Sequence, residues 1–243
     1  MRHGVNGNRS LVVHGNTVMV VLVQNDPLAT PGILTEVLEK AGLAFKILQP
    51  FAGDRLEELT DLTAVVVLGG AMSVNEIQKF PFLVSVKKFI LRVVETKTPC
   101  LGICLGAQLL AEVLGGKIRR HSNGERGCLL VSLTEEGATD PLFQRLPKQF
   151  FTVQSHDDSF ELPMGASHLA SSRRCRFQAF RWRKFAYGIQ FHPEANLQIV
   201  SLWDNLRKSQ GQFRDAFNQR QKSCLSTSLT IFDNFLRIIQ FER

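Results

Sequence analysis

Four short apolar runs, residues 18–24, 44–48, 64–68 and 99–103, alternate in the first half of the chain with polar turns and segments of helical spacing. Residues 32–41 and 82–96 carry the helical pattern, and Pro31 suits a first helical turn. Strands that alternate with helices build a mainly parallel sheet covered on both faces. From residue 128 the character changes: residues 128–133, 150–153, 167–171, 176–181 and 186–191 read as short strands joined by turns. Two helices, 197–208 and 225–241, close the chain, and the polar stretch 208–223 between them is expected to be flexible. The expected fold is α/β, a three-layer arrangement with helices on both faces of a mainly parallel central sheet, plus a small antiparallel sheet. Residues 1–17, polar and glycine-rich, are expected to form a loose N-terminal extension.

At 243 residues there is room for one sizeable α/β domain. The apolar runs are far shorter than the roughly 20 residues that span a bilayer, and the N-terminus lacks the apolar core of a secretory signal. The expectation is a cytoplasmic protein without a membrane partner. Five cysteines, an odd number without a C-x-x-C pair, fit neither a disulfide framework nor a zinc site. A formal charge of +7, with the run "SSRRCRFQAFRWRK" at 171–184, invites a nucleic-acid reading. Yet Arg174, Arg176 and Gln178 alternate with Cys175, Phe177 and Ala179 as on a half-exposed strand, and no nucleic-acid-binding motif accompanies the charge. No nucleic-acid partner is expected.

Chemistry concentrates in "PCLGICLGAQLLAEVLGG", residues 99–116. Cys104 stands between an apolar strand and a helix-patterned segment, in the form G-x-nucleophile-x-G of a sharp elbow. The N-terminus of the following helix faces the sulfur, and the next backbone N–H is free for an oxyanion. A buried structural thiol is the ordinary alternative for any cysteine. Open α/β sheets bind ligands at the carboxyl ends of their strands. Gly69-Gly70, after the run 64–68, lies at that edge. So does His192, at the end of "YGIQFHPE", with Glu194 two residues on to orient its imidazole. His3, His14, His121 and His168 have no supporting pattern and are read as surface residues.

The set "LGG", "GICLGAQLLA" and "GIQFHPE", in that order, resembles the class I (triad-type) glutamine amidotransferases, from about residue 18 to about residue 207. Two further stretches, "NGERGCLLVSLTEEGATDPLFQRLP" and "QSHDDSFELPMGASHLASS", look like the stand-alone GMP-synthase-like glutaminase branch. That branch is similar to the glutaminase part of GMP synthetase and to plant γ-glutamyl peptidases.

The resemblance implies a flavodoxin-like amidotransferase domain over residues 18–243. It implies Cys104 as nucleophile, His192 as general base and then acid, and Glu194 as its orienter. Backbone N–H groups of Gly70 and Leu105 would form the oxyanion hole. Gly69, Gln108, Ser155 and His156 would contact the substrate. Glutamine would pass through a cysteine thioester to glutamate and ammonia, and another γ-glutamyl small molecule to glutamate and its own amine, with no metal or organic cofactor. A separate synthase subunit would accept the ammonia, since residues 208–243 leave space for only a helix or two.

One departure bears on substrate: "QSHDD" stands where many relatives read Q-W-H-G-D; the oxyanion loop also departs, reading "GGAMS" where many read G-G-P-x-S, which the stand-alone branch tolerates. The alternatives are a γ-glutamyl peptidase and, more weakly, a catalytically inactive binding module.

Overall fold

In the computed structural model of the chain, residues 12–13, 16–17, 19–57, 59, 62–206 and 208–241 are described. Nine strands form one sheet. In chain order they are β1 (Met19–Val23), β2 (Ala44–Leu48), β3 (Ala64–Val67), β4 (Cys100–Ile103), β5 (Glu125–Leu133), β6 (Gln149–His156), β7 (Ala166–Ser172), β8 (Ala179–Trp182) and β9 (Ala186–Ile189). Their spatial order is β2-β1-β3-β4-β9-β8-β7-β5-β6. The run from β2 to β9 is parallel throughout, and β8, β7, β5 and β6 continue it antiparallel. Ile118–Arg119 and Ser159–Phe160 form a separate small antiparallel sheet.

Residue alternation explains why both faces are covered. Val20 and Leu22 of β1, with Ala64 and Val66 of β3, face a core shared with α1 (Ile33–Lys40) and the last turns of a long C-terminal helix. Val21, Val23, Val65 and Val67 face the opposite core, under α2 (Phe82–Glu95) and α3 (Leu105–Val113). Strands buried on both sides read as continuous apolar runs, which is how β1, β3 and β4 were visible in the sequence, whereas the edge strand β2 keeps Lys46 and Ile47 exposed. A short helix, α4 (Glu135–Thr139), is capped by the Thr134 hydroxyl, which accepts from the Gly137 N–H at 3.0 Å.

Two expectations need correction at the chain's second half. The helices expected at 197–208 and 225–241 are α5 (Leu197–Leu206) and α6 (Gln212–Phe241), so most of the stretch expected to be flexible is helical. Phe213 and Phe217, one turn apart, are buried against Ile199 and Val200 of α5, and Cys224 continues the same face. That packing outweighs the polar composition. The strand expected at 176–181 starts only at Ala179. Gln178, read as solvent-facing, is fully buried: its Nε2 donates to Glu125 Oε2 at 2.6 Å and its Oε1 accepts from Gln154 Nε2 at 2.9 Å, and the β7–β8 register slips nearby, between His168 and Ala170. In the basic run, Arg181 pairs with the buried Asp140 at 2.6 Å, and Arg183 lies over the Trp182 ring at 4.4 Å.

The expected extension, residues 1–17, falls largely outside the described residues, His3 and His14 included; within it, Val12–Val13 pairs with Asn16–Thr17. Among the described residues no helix is long and apolar enough to cross a membrane.

Candidate functional site

Cys104 occupies the corner between β4 and α3, with φ at 51° and ψ at −107°. A non-glycine residue in such a conformation carries about 1–3 kcal/mol of strain, held only because its surroundings fix it. The flanking glycines let the helix approach. A Cβ on Gly106 would fall 2.0 Å from the Val67 carbonyl oxygen, and one on Gly102 would fall 2.6 Å from the Gly106 carbonyl. Gly106→Ala is therefore expected to cost about 3–5 kcal/mol of unfolding free energy in urea titrations, because backbone atoms and not a flexible side chain would have to move.

The second component arrives on β9, which lies parallel to β4 with Ile189 opposite Ile103. The Cys104 N–H donates to the Ile189 carbonyl at 2.8 Å, so the two strand ends are tied at the thiol. Beyond β9 the His192 N–H donates to the Val153 carbonyl of β6 at 2.8 Å. The His192 Nδ1 meets Glu194 Oε1 at 2.7 Å, with both side chains buried. Glu194 is held in turn by α1: its carbonyl accepts from the Ile33 N–H at 3.1 Å, and a Cβ on Gly32 would sit 1.9 Å from that oxygen. Burial alone would push the His192 imidazole down. The negative charge at Glu194, and then that at the Cys104 sulfur, outweigh burial and raise it to about 10. The Trp203 ring stands edge-on to His192, centroids 4.8 Å apart.

Two pockets meet at the sulfur, and Gly70, Ala71, Cys104 and Ser155 line both. One, of about 230 Å³, is polar and takes in Gln108, His156, Glu76, Arg120 and Asp157. The other, of about 240 Å³, takes in His192, Leu28, Ala29, Trp203 and Leu206. Gly69 lies beside both Cys104 and His192: a Cβ there would be 3.2 Å from His192 Cε1 and 3.6 Å from Cys104 Cβ. Leu105 opens α3, and its side chain packs against Gly70. Every residue singled out as a site candidate thus lies at one end of the parallel strands. His121, read as surface, is exposed, whereas His168 is half-buried and bonded through Nε2 to the Ala170 and Arg176 carbonyls.

Sequence reasoning passed over Gln190, which is fully buried. Its Nε2 donates to the Cys104 sulfur at 3.5 Å, and its Oε1 accepts from Gln108 Nε2 at 3.3 Å. Gln108 also donates to the Asp158 carbonyl at 3.1 Å, and the Asp158 side chain accepts from Ser73 Oγ at 2.7 Å and from the His121 N–H at 2.9 Å. His156 joins through Nδ1, 3.0 Å from the Asp158 carbonyl. One polar residue inside the apolar "YGIQF" was the available signal for Gln190; the long-range partners left none.

Residues 32–199 match the family model described as glutamine amidotransferase class-I. A glutamine-hydrolyzing GMP synthase subunit from Saccharolobus solfataricus is 39% identical over 142 residues, 57% of this chain and 71% of that protein. Its counterpart from Archaeoglobus fulgidus is 35% identical over 141 residues, 57% of this chain and 70% of that protein. Among solved structures, a glutamine amidotransferase from Thermotoga maritima superposes with a TM-score of 0.83 at 28% identity, covering 92% of this chain and 98% of its own.

Proposed function

Since the chain belongs to the class-I glutamine amidotransferases, we propose that it hydrolyses the γ-carboxamide of glutamine through a thioester on Cys104. The observation that carries this reading is the thiol at a strained strand-to-helix corner, sharing a pocket with a histidine that bonds a buried carboxyl group at 2.7 Å.

The Cys104 sulfur attacks the γ-carbonyl carbon. The backbone N–H groups of Gly70 and Leu105 receive the developing oxyanion, and His192 protonates the departing ammonia. Water then cleaves the thioester with His192 as base, and glutamate leaves. Glu194 holds the imidazole in orientation throughout. The polar pocket takes the α-amino acid end: Arg120 supplies positive charge, Glu76 and Asp157 supply negative charge, and a zwitterion needs both. Gln108, Ser155, His156 and Gly69 complete its surroundings.

A separate synthase chain is the ammonia acceptor this reading implies, and the relatives that are themselves named as subunits of a GMP synthase support a partner of that kind.

The test combines glutamate and ammonia release from glutamine with labelling by an electrophilic glutamine analogue. Equal release of both products and stoichiometric modification of Cys104 are expected. Unmodified Cys104 together with no release would sink the reading.

A further inference from the structure

The reading above places the α-amino acid half of glutamine in one of the two pockets at Cys104. The other is walled by Leu28, Ala29, Trp203 and Leu206 and includes His192. Its polar capacity is small. Asp26 is the acidic residue in its lining, and both carboxyl oxygens are engaged, Oδ1 by the Leu28 N–H at 2.8 Å and Oδ2 by the Ala71 N–H at 3.1 Å. Leu28 and Leu206, which line the pocket, stay 39% and 55% exposed.

Acyl transfer dictates which pocket receives which half of a substrate. The group that protonates the leaving nitrogen must stand within reach of it, and His192 lines the apolar pocket but not the polar one. With the α-amino acid half among Arg120, Glu76 and Gln108, any substituent on the leaving nitrogen extends between Leu28, Trp203 and Leu206. Ammonia would leave that space empty. We infer that the chain cleaves N-substituted γ-glutamyl amides whose amine carries an apolar or aromatic group, an inference that rests on the Cys104 chemistry proposed above. The S–C bond forms as the C–N bond breaks, and the His192 proton leaves with the amine. Water then supplies the hydroxyl that releases glutamate and returns the thiol. No other reactant is required.

The experiment compares kcat/KM for glutamine, γ-glutamylmethylamide, γ-glutamylbenzylamide and γ-glutamylglycine. The benzylamide is expected to exceed glutamine by about 10- to 100-fold, in keeping with burial of a ring in an apolar pocket. γ-Glutamylglycine, which brings a carboxylate against the apolar wall, should fall at or below glutamine. A Leu28→Asp, Leu206→Asp double variant is expected to lower benzylamide cleavage about tenfold more than glutamine cleavage.

Glutamine preferred over every substituted amide, or a benzylamide preference that survives the double substitution, overturns the inference and leaves the glutaminase reading standing. Cleavage of the benzylamide without cleavage of glutamine supports the inference and removes glutamine as substrate. Absence of Cys104-dependent release from all four compounds overturns both.

Discussion

Cys104→Ala and Cys104→Ser proteins are expected to release glutamate from glutamine at least about 1,000-fold more slowly than the wild type, while unfolding at a nearly unchanged urea concentration. Alanine removes the atom that would carry the acyl group. Serine keeps a nucleophile of similar size, but an alcohol beside the same histidine is a far weaker one than sulfur. Neither change relieves or worsens the backbone at φ 51°, since the strain belongs to any side chain with a Cβ. Little packing is lost with one sulfur, so stability should move by about 1 kcal/mol or less. Glutamate release and urea titrations on the same preparations read the two effects separately. A serine variant within tenfold of wild-type activity would take the nucleophile's role away from Cys104.

Glu194→Gln is expected to slow glutamate release by about 100- to 10,000-fold and to change how stability depends on pH. In the wild type His192 is raised from its ordinary 6.5 to about 10, so the folded state holds this proton more tightly than the unfolded chain does. Stability gained that way is fully present below pH 6.5 and is lost as pH climbs to about 10. The loss approaches about 1.4 kcal/mol per pH unit for a single group. Glutamine keeps an oxygen for Nδ1 but brings no negative charge. Burial then pulls the imidazole down, and the variant loses much of that slope. Urea titrations of both proteins at several pH values from 6 to 10 give the difference directly. The wild type should hold its largest advantage at the acid end of that range. A pH-independent gap would mean that the His192–Glu194 contact is merely structural.

What was legible in the sequence follows from how each element is stabilised. β1, β3 and β4 are buried on both faces, so their apolar runs stand out without knowledge of neighbours. α2 also carried its signal locally, with Leu83, Val86, Phe89, Ile90, Val93 and Val94 on its buried side. The start of α6 did not, because two phenylalanines in a polar stretch matter only once α5 lies beside them. Gln178 and the slip before it were likewise invisible: its Nε2 donates to Glu125 of β5 at 2.6 Å, a partner 53 positions away.

The candidate site divides the same way. Cys104, His192 and Glu194 each follow a strand, where residue type and position were enough to nominate them. Gln190 and Trp203 touch Cys104 and His192 respectively, and only the folded chain joins them.

The placement of β9 between β4 and β8 has a kinetic side. The strand that ties down the Cys104 amide ends at Ile189, and Gln190 is 86 positions from the cysteine it touches. A ribosome-bound chain that has not yet emitted this strand has a gap in mid-sheet, the elbow lacks its second wall, and the imidazole is missing altogether. Pairings at such separation form slowly. On dilution from denaturant, helical signal should therefore recover before glutamate release does, and enzymatic turnover would report that the last central strand has closed the sheet.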